Sequence, residues 1–331
     1  MATSTLPTLT TKLKPFQLKS DKPIDWCPGC GDYGIVNSIQ QAIGELGLEP
    51  WKVNFYTGIG CSGKSSQYVQ TYGVHTLHGR VLPYALASKM VNPDNVVLAA
   101  GGDGDGYGIG GGHYMHAGRR NVDITYIVFD NEVYGLTKGQ ASPTLELGAQ
   151  PKSLAAPHIS QAMNPIAMSI AAGYTFVARS YAFDAKHLKQ TIMAAMQHRG
   201  TAIIDVYQPC PTYNDLHPKE YYSEKVLDVA GTEMPRVYYL EDEGYNGVVE
   251  DSSNLEALQA KKIEAITKAY QKEERIALGV YWKVDLPTYQ DRLEENLPIL
   301  KTQRPVNMAA HHDAEMKPTT DLAYALEDFI I

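Results

Sequence analysis

Four cysteines stand in the 331 residues: Cys27, Cys30, Cys61 and Cys210. Cys27-Pro-Gly-Cys30 is one close pair; Cys61 lies 31 residues beyond it and Cys210 a further 149. Read as one site, four soft thiolates suit a tetrahedral zinc or a [4Fe–4S] cluster. Zinc sites commonly join two close couples. One couple with two remote singles fits a cluster better, and Cys210 sits in Pro-Cys-Pro, a frequent setting for a cluster ligand. The competing reading is a C-x-x-C redox pair with two buried thiols.

Gly101-Gly-Asp-Gly-Asp-Gly106 follows the apolar run Val96–Ala100, and eight of the twelve residues from Gly101 to Gly112 are glycine. Such a run lets the backbone approach a phosphate, and the free N–H groups of a helix start bind the anion. Asp103 offers a hard oxygen to Mg2+, which can bridge diphosphate oxygens. Asn131 comes twenty-eight residues later, in Asp130-Asn-Glu-Val-Tyr-Gly135 at the end of the next apolar run. Neighbouring parallel strands end side by side, so Asp103 and Asn131 can meet at one rim and share a metal. A Gly-Asp-Gly followed at this distance by Asn after an apolar strand is a thiamine-diphosphate (ThDP) signature. The plainer reading is a glycine-rich turn with a solvated aspartate.

A third pattern competes. Gly58-Ile-Gly-Cys-Ser-Gly-Lys64-Ser65 fits the P-loop consensus and follows a strand. A P-loop would put Lys64 on nucleotide phosphates and Ser65 on Mg2+. Yet Gln67–Gly79 holds Gly73, two histidines and threonines rather than a long amphipathic helix, and the reading leaves Asp103, Asn131 and the other cysteines without a role. The alternative is a strand-end loop with Cys61 on a metal centre and Lys64 facing an anionic substrate.

These residues need elements to hold them. Apolar or β-branched runs predict strands at Val53–Thr57, Val96–Ala100, Ile124–Asp130, Tyr174–Ala178 and Ala202–Tyr207. Helical patterns lie between them: Ile35 to Leu46, Val81–Met90, Ile109–Arg119, Ile159–Ala172 and Asp184–His198. The alternation predicts an α/β fold, a parallel sheet flanked by helices, with ligands at the carboxyl ends of the strands. Further on, Ser253-x-x-Glu256 reads as a capping box opening a helix to about Glu273, and the rest as extended segments and short turns.

Composition sets the frame. At roughly 150 residues per domain the length allows two domains, or one with a large extension. Residues 1–217 carry 16 basic and 15 acidic residues, whereas 218–331 carry 13 and 22. That shift divides a glycine-rich, near-neutral domain, 1–217, from an acidic C-terminal extension, 218–331. The net charge of −8 speaks against a nucleic-acid partner. No apolar run reaches the ~18 residues of a membrane span. The N-terminus lacks a signal-peptide pattern, so a cytoplasmic, reducing location is expected.

Taken together, Trp26-Cys-Pro-Gly-Cys-Gly-Asp32, Gly58-Ile-Gly-Cys-Ser-Gly-Lys64, His75-Thr-Leu-His-Gly-Arg80, Gly102-Asp-Gly-Asp105 and Asp130-Asn-Glu-Val-Tyr-Gly-Leu-Thr-Lys-Gly-Gln140 closely resemble one family. It is the β subunit of 2-oxoacid:ferredoxin oxidoreductases, most like the 2-oxoglutarate type. The likeness covers about residues 20–215 and, more weakly, Gly279–Leu297. The resemblance favours the cluster over zinc and the P-loop. It implies the diphosphate half of a ThDP-binding fold with a [4Fe–4S] cluster on Cys27, Cys30, Cys61 and Cys210. It implies Mg2+ on Asp103, Asn131 and the Val133 carbonyl. ThDP contacts would come from Ile59, Gly60, Cys61, Ser62, Gly104, Asp105, Gly135 and Leu136. Lys64 would meet the 2-oxoacid, and Leu136 would also shape its pocket.

The resemblance further implies an obligate α subunit that completes the ThDP site, so that this chain alone is inactive. The reaction would be coenzyme A-dependent oxidative decarboxylation of a 2-oxoacid, or its reductive reverse. It would run through a ThDP radical, with single electrons passing by way of the cluster to ferredoxin. 2-Oxoglutarate is the favoured substrate and pyruvate the alternative; an iron–sulfur subunit without catalysis, or a P-loop hydrolase, is the distant one. The acidic extension is a poor dock for an acidic ferredoxin, which is expected on the cluster side of 1–217. His78 and Arg80 are candidates for the substrate pocket, Arg80 by pairing a distal carboxylate. His113 and His116 read as a packed or surface helix face, and His311 with His312 as tail residues without a role.

Overall fold

The computed structural model describes residues 6–9, 11–227, 231–271 and 275–307. His311 and His312 lie outside them. The first helix, α1 (Asp32–Leu46), places Ile35, Ile39 and Ile43 on one stripe and stops at Gly47, whose φ of 68° suits a residue without Cβ. Then come β1 (Val53–Thr57), β2 (Tyr72–His75), α2 (Val81–Val91) and β3 (Val96–Gly102). They are followed by α3 (Gly111–Arg120), β4 (Ile124–Asp130) and a small hairpin, β5 (Val133–Tyr134) with β6 (Gln140–Ala141). Next are α4 (Pro165–Ala172), β7 (Phe176–Tyr181), α5 (Ala185–Gln197) and β8 (Thr201–Tyr207). The last part holds α6 (Lys219–Ser223), the hairpin β9 (Lys225–Leu227) with β10 (Glu233–Pro235), β11 (Val237–Tyr239), α7 (Leu255–Ala269), β12 (Ile276–Lys283) and α8 (Tyr289–Asn296).

Eight strands make one sheet in the order β11-β12-β7-β8-β4-β3-β1-β2. From β2 to β7 every neighbour is parallel. Both faces are covered, which is why these strands read as continuous apolar runs. Alternate residues of β4 serve the two faces. Ile127 and Phe129 pack with α1 and α5 residues such as Ile39 and Ile192, while Tyr126 and Val128 pack with α2, α3 and α4 residues such as Leu82, Tyr114 and Ile170. Truncating a core side chain of this kind, Phe129→Ala for example, would cost ~3–5 kcal/mol.

The structure corrects the sequence reading at several points. The sheet is not wholly parallel, since β12 runs antiparallel to β7 and covers what would be a bare edge. That strand was hidden because Gly279 has φ 125° and the register shifts between Val280 and Trp282, which breaks the alternation. Residues after 217 therefore add β11 and β12 to the same sheet, and α8 is a helix capped by Thr288 and Asp291. The cap of α7 is Asn254, whose side chain accepts from the Ala257 N–H, while the Ser253 hydroxyl is spent on Asp251. This helix ends at Ala269 rather than near Glu273, α4 starts at Pro165 rather than Ile159, and β7 begins two residues later than expected. Gly104–Ile109 forms a π-helical turn ahead of α3, which explains why the helix opens later than Ile109.

Candidate functional site

The strands β1, β3, β4 and β8 are neighbours, and their carboxyl ends lie along one rim. From β1 comes the Gly58–Cys61 loop, from β3 Asp103, from β4 Asn131, and from β8 Gln208, Pro209 and Cys210. The Cys27–Cys30 turn joins them just ahead of α1, tied by two hydrogen bonds. Gly31 N–H donates to the Pro209 carbonyl at 3.1 Å, and the Trp26 indole N–H to the Cys61 carbonyl at 2.9 Å. Two remote loops are thus fastened to one C-x-x-C segment.

The thiols face one another closely enough to sense each other's charge. Burial, then the Asp32 carboxylate, then Cys210 and Cys61 push the Cys30 thiol far above its usual range. Cys61 is pushed up to about 12 by burial, Asp32 and Cys210, and Cys210 is raised by burial against three backbone N–H groups, those of Thr212, Tyr213 and Asn214. Buried thiols that resist ionisation are what a metal centre must compensate. A methyl built on Gly135 would lie 3.7 Å from Cys61 Sγ and 4.0 Å from Cys210 Sγ, so the missing side chain leaves room beside two sulfurs. Four soft sulfur donors with open space beside two of them fit the needs of a four-iron cluster.

Beside the thiols lies a cavity of about 70 Å3 walled by Ile59–Ser62, His78, Gly102–Asp105, Asn131 and Val133–Thr137. All residues expected at ThDP, together with Asp103, Asn131 and Val133, stand on this wall. Gly104 is a glycine of necessity, because a Cβ there would strike the Tyr134 ring at 2.4 Å. Lys64 and Arg80 are not on the wall. The Lys64 ammonium donates to Asp25 at 2.7 Å, and the Arg80 guanidinium reaches the Gly79 carbonyl at 3.3 Å. The Ser62–Gln67 segment is a short 3-10 turn leading into β2, without the helix a P-loop requires. On α3, His113 and His116 flank buried Tyr114 without entering the site, and His116 is exposed.

The carboxylates are built differently from each other. Asp105 Oδ1 accepts from Ile59 N–H at 3.1 Å, Gly79 N–H at 2.8 Å and His78 Nδ1 at 2.5 Å, tying two loops to the π-turn. Its Oδ2 is buried and has no hydrogen-bond partner among the described residues. Asp103 Oδ2 accepts from the Ser142 hydroxyl and from Thr144 Oγ1 at 2.6 Å, while Thr144 Oγ1 also lies 2.7 Å from Asp130 Oδ1. One hydroxyl has one hydrogen, so one of the two acids must bring its own. Burial and the charges of Asp205 and Asp103 raise Asp130 far above the carboxylate range. Burial raises Asp103 as well, opposed by these hydroxyls, and a bound cation would offset that cost.

Several site residues escaped the sequence reading. Gln208 bridges Asn131 and Cys30, and Ser142 and Thr144 arrive from 39 and 41 residues beyond Asp103. Glu132 takes a left-handed φ of 65° between Asn131 and Val133, held by Asn214 Nδ2 at 2.9 Å and His217 Nδ1 at 2.6 Å. Only positions next to the Asp-Asn-Glu motif hinted at these roles.

Comparison with known proteins agrees with this geometry. Residues 58–206 match the family described as thiamine pyrophosphate enzyme, C-terminal TPP binding domain. Residues 210–296 match a second family, described as the C-terminal part of the pyruvate ferredoxin oxidoreductase beta subunit. The 2-oxoacid:ferredoxin oxidoreductase subunit beta of Saccharolobus solfataricus is 49% identical over 311 residues, covering 92% of this chain and 96% of that one. The chain belongs to the family of 2-oxoacid:ferredoxin oxidoreductase β subunits. It is thus one subunit of an oxidoreductase, and a β subunit implies an α partner. Within this family, the 2-oxoglutarate oxidoreductase subunit KorB of Mycobacterium tuberculosis is 35% identical over 331 aligned positions, covering 92% of this chain and 87% of that one. The solved 2-oxoglutarate:ferredoxin oxidoreductase from Magnetococcus marinus, with 2-oxoglutarate, coenzyme A and succinyl-CoA bound, superposes with a TM-score of 0.79. That match has 32% identity and covers 90% of this chain and 95% of that one. Among the described residues, no helix is long and apolar enough to cross a membrane.

Proposed function

We propose that this β subunit serves the coenzyme A-dependent oxidative decarboxylation of 2-oxoglutarate, or its reverse, with ferredoxin as electron partner. The observation that carries the reading is one wall shared by two sites: Cys61 stands on the cavity and in the thiol cradle beside Gly135. Asp103, Asn131 and the Val133 carbonyl would hold Mg2+ and, through it, a diphosphate. Ile59–Ser62, Gly104, Asp105, Gly135 and Leu136 would line the cofactor, and the four cysteines would hold a [4Fe–4S] cluster. When bound, ThDP supplies the electron sink for decarboxylation and the cluster a one-electron store.

The chain's own residues do the rest. The Ser142 and Thr144 hydroxyls favour the ionised form of Asp103 against the effect of burial, Asp105 fixes the Ile59 and Gly79 loops, and half-exposed Leu136 stands on the cavity wall. Lys64 would exchange Asp25 for the substrate carboxylate. Relatives named for 2-oxoglutarate, and a solved neighbour holding it, support that substrate. Pyruvate is the second reading, favoured by the family matched at 210–296. Ferredoxin would dock on the cluster side of 1–217, and the four free thiols suit a cytoplasmic, reducing location.

Co-expression with the α subunit and anaerobic purification test this reading. A brown complex with about four irons and four sulfides per β chain is expected. A colourless, iron-free complex refutes it.

A further inference from the structure

Gln208 is 2% exposed and follows β8 directly, with its own N–H bonded to the Asp130 carbonyl at 2.7 Å. Its carboxamide is fully engaged. Nε2 donates to the Pro209 carbonyl at 2.7 Å and to Cys30 Sγ at 3.3 Å, while Oε1 accepts from Asn131 Nδ2 at 2.7 Å. Asn131 Oδ1 accepts in turn from the Val133 N–H at 3.0 Å. A continuous run of hydrogen bonds therefore joins a cluster cysteine to an asparagine on the cofactor cavity.

The run has a direction. The Pro209 carbonyl can only accept, so the amide nitrogen of Gln208 must face it and Cys30. A flipped Gln208 would set its oxygen against that carbonyl and the sulfur, and its NH2 against the NH2 of Asn131. With Oε1 fixed as acceptor, Asn131 must present Nδ2 to it, which leaves Oδ1 as the atom available to a cation. The stem has little freedom, because a Cβ on Gly31 would lie only 2.9 Å from Gln208 Cγ.

We propose that Gln208 is a positioning residue that fixes the cation-binding face of Asn131 and, through the same amide, sets the reduction potential of a cluster bound by Cys30. The inference rests on the ThDP and cluster reading above. Hydrogen bonds to a ligating sulfur stabilise the reduced, more negative cluster and raise its potential. A cation on Asn131 Oδ1 polarises the amide run and strengthens the N–H···S contact. Filling the cofactor site would thus raise the potential of the electron acceptor beside it. By linkage, reducing the cluster would tighten the cation site.

The test uses the αβ complex, purified without oxygen, with Gln208→Met and Gln208→Glu. Methionine removes both ends of the bridge; glutamate keeps an oxygen for Asn131 but loses the donor to Cys30. Iron and sulfide content is measured first. An iron-free wild type would defeat the cluster reading itself, and with it this proposal. With the wild type loaded, redox titration followed by electron paramagnetic resonance should give a lower potential in both variants. Half-saturation by Mn2+, probing the Mg2+ site, should rise about tenfold or more in Gln208→Met and less in Gln208→Glu. Adding Mg2+ and ThDP should raise the wild-type potential and leave that of Gln208→Met unmoved. Should Gln208→Met lose iron, Gln208→Glu carries the potential measurement. A loaded variant with wild-type potential and wild-type Mn2+ binding overturns the proposal, as does loss of iron from both.

Discussion

Gly135 faces Cys61 so closely that a methyl group in place of its hydrogen would lie 3.7 Å from the sulfur. That is ordinary van der Waals contact, and φ of Gly135 is not in the left-handed region, so alanine suits the chain without a cluster. It should not suit a cluster filling the same space. Gly135→Ala is expected to change folding stability by no more than about 0.5 kcal/mol, while iron per chain falls by more than half. Denaturant titration alongside iron analysis measures both; full iron loading would show that the cradle lies elsewhere.

Thr144 Oγ1 stands within hydrogen-bond distance of two buried acids, Asp103 and Asp130. Thr144→Val removes the hydroxyl that stands between Asp130 and Asp103 and leaves both buried carboxyls short of a hydrogen-bond partner. The loss should cost about 1–3 kcal/mol of stability and weaken Mg2+ binding about tenfold. Mg2+ titration of ferredoxin reduction by the complex checks this, and unchanged half-saturation would remove Asp103 from the cation site.

Lys64 stands paired with Asp25, whose carboxyl is held below its usual range by the Lys64 and Tyr68 hydrogen bonds. Lys64→Met should raise KM for the 2-oxoacid tenfold or more, and Asp25→Asn should not. A nucleotide hydrolysis lost in Lys64→Met would instead revive the P-loop reading.

His198 predicts a pH dependence of stability. Burial pushes its imidazole down from 6.5 to about 4, outweighing the pull of exposed Asp285 at 3.9 Å. Nε2 meets Thr175 at 2.8 Å, and Nδ1 is buried with no hydrogen bond among the described residues. The folded chain resists protonation more than the unfolded one, so the contribution is full above pH 6.5 and is lost as pH falls toward 4. Between pH 7.5 and 5 the loss should be about 2 kcal/mol. Denaturation curves of wild type and His198→Gln at both pH values measure it; equal losses would assign the dependence to other groups.

The rim was legible where chemistry and secondary structure coincide. β1 and β4 fall where their apolar runs predict, β3 and β8 extend theirs by one or two residues, and glycines and acids at their ends mark the cavity. What stayed hidden depends on contacts distant in sequence. Gln208 lies 178 residues from Cys30, and Asp25 is 39 from Lys64. No spacing rule predicts such pairs. The bulged β12 was missed for a local reason, since one irregular residue hides the period of a strand.

The central claim concerns the substrate and is tested most directly by steady-state reduction of ferredoxin by the αβ complex, with coenzyme A and either 2-oxoglutarate or pyruvate. The account predicts coenzyme A-dependent reduction with kcat/KM at least about a hundredfold higher for 2-oxoglutarate, whose distal carboxylate needs a matched site. Preference for pyruvate, or no coenzyme A-dependent reduction of ferredoxin by a fully loaded complex, would contradict it.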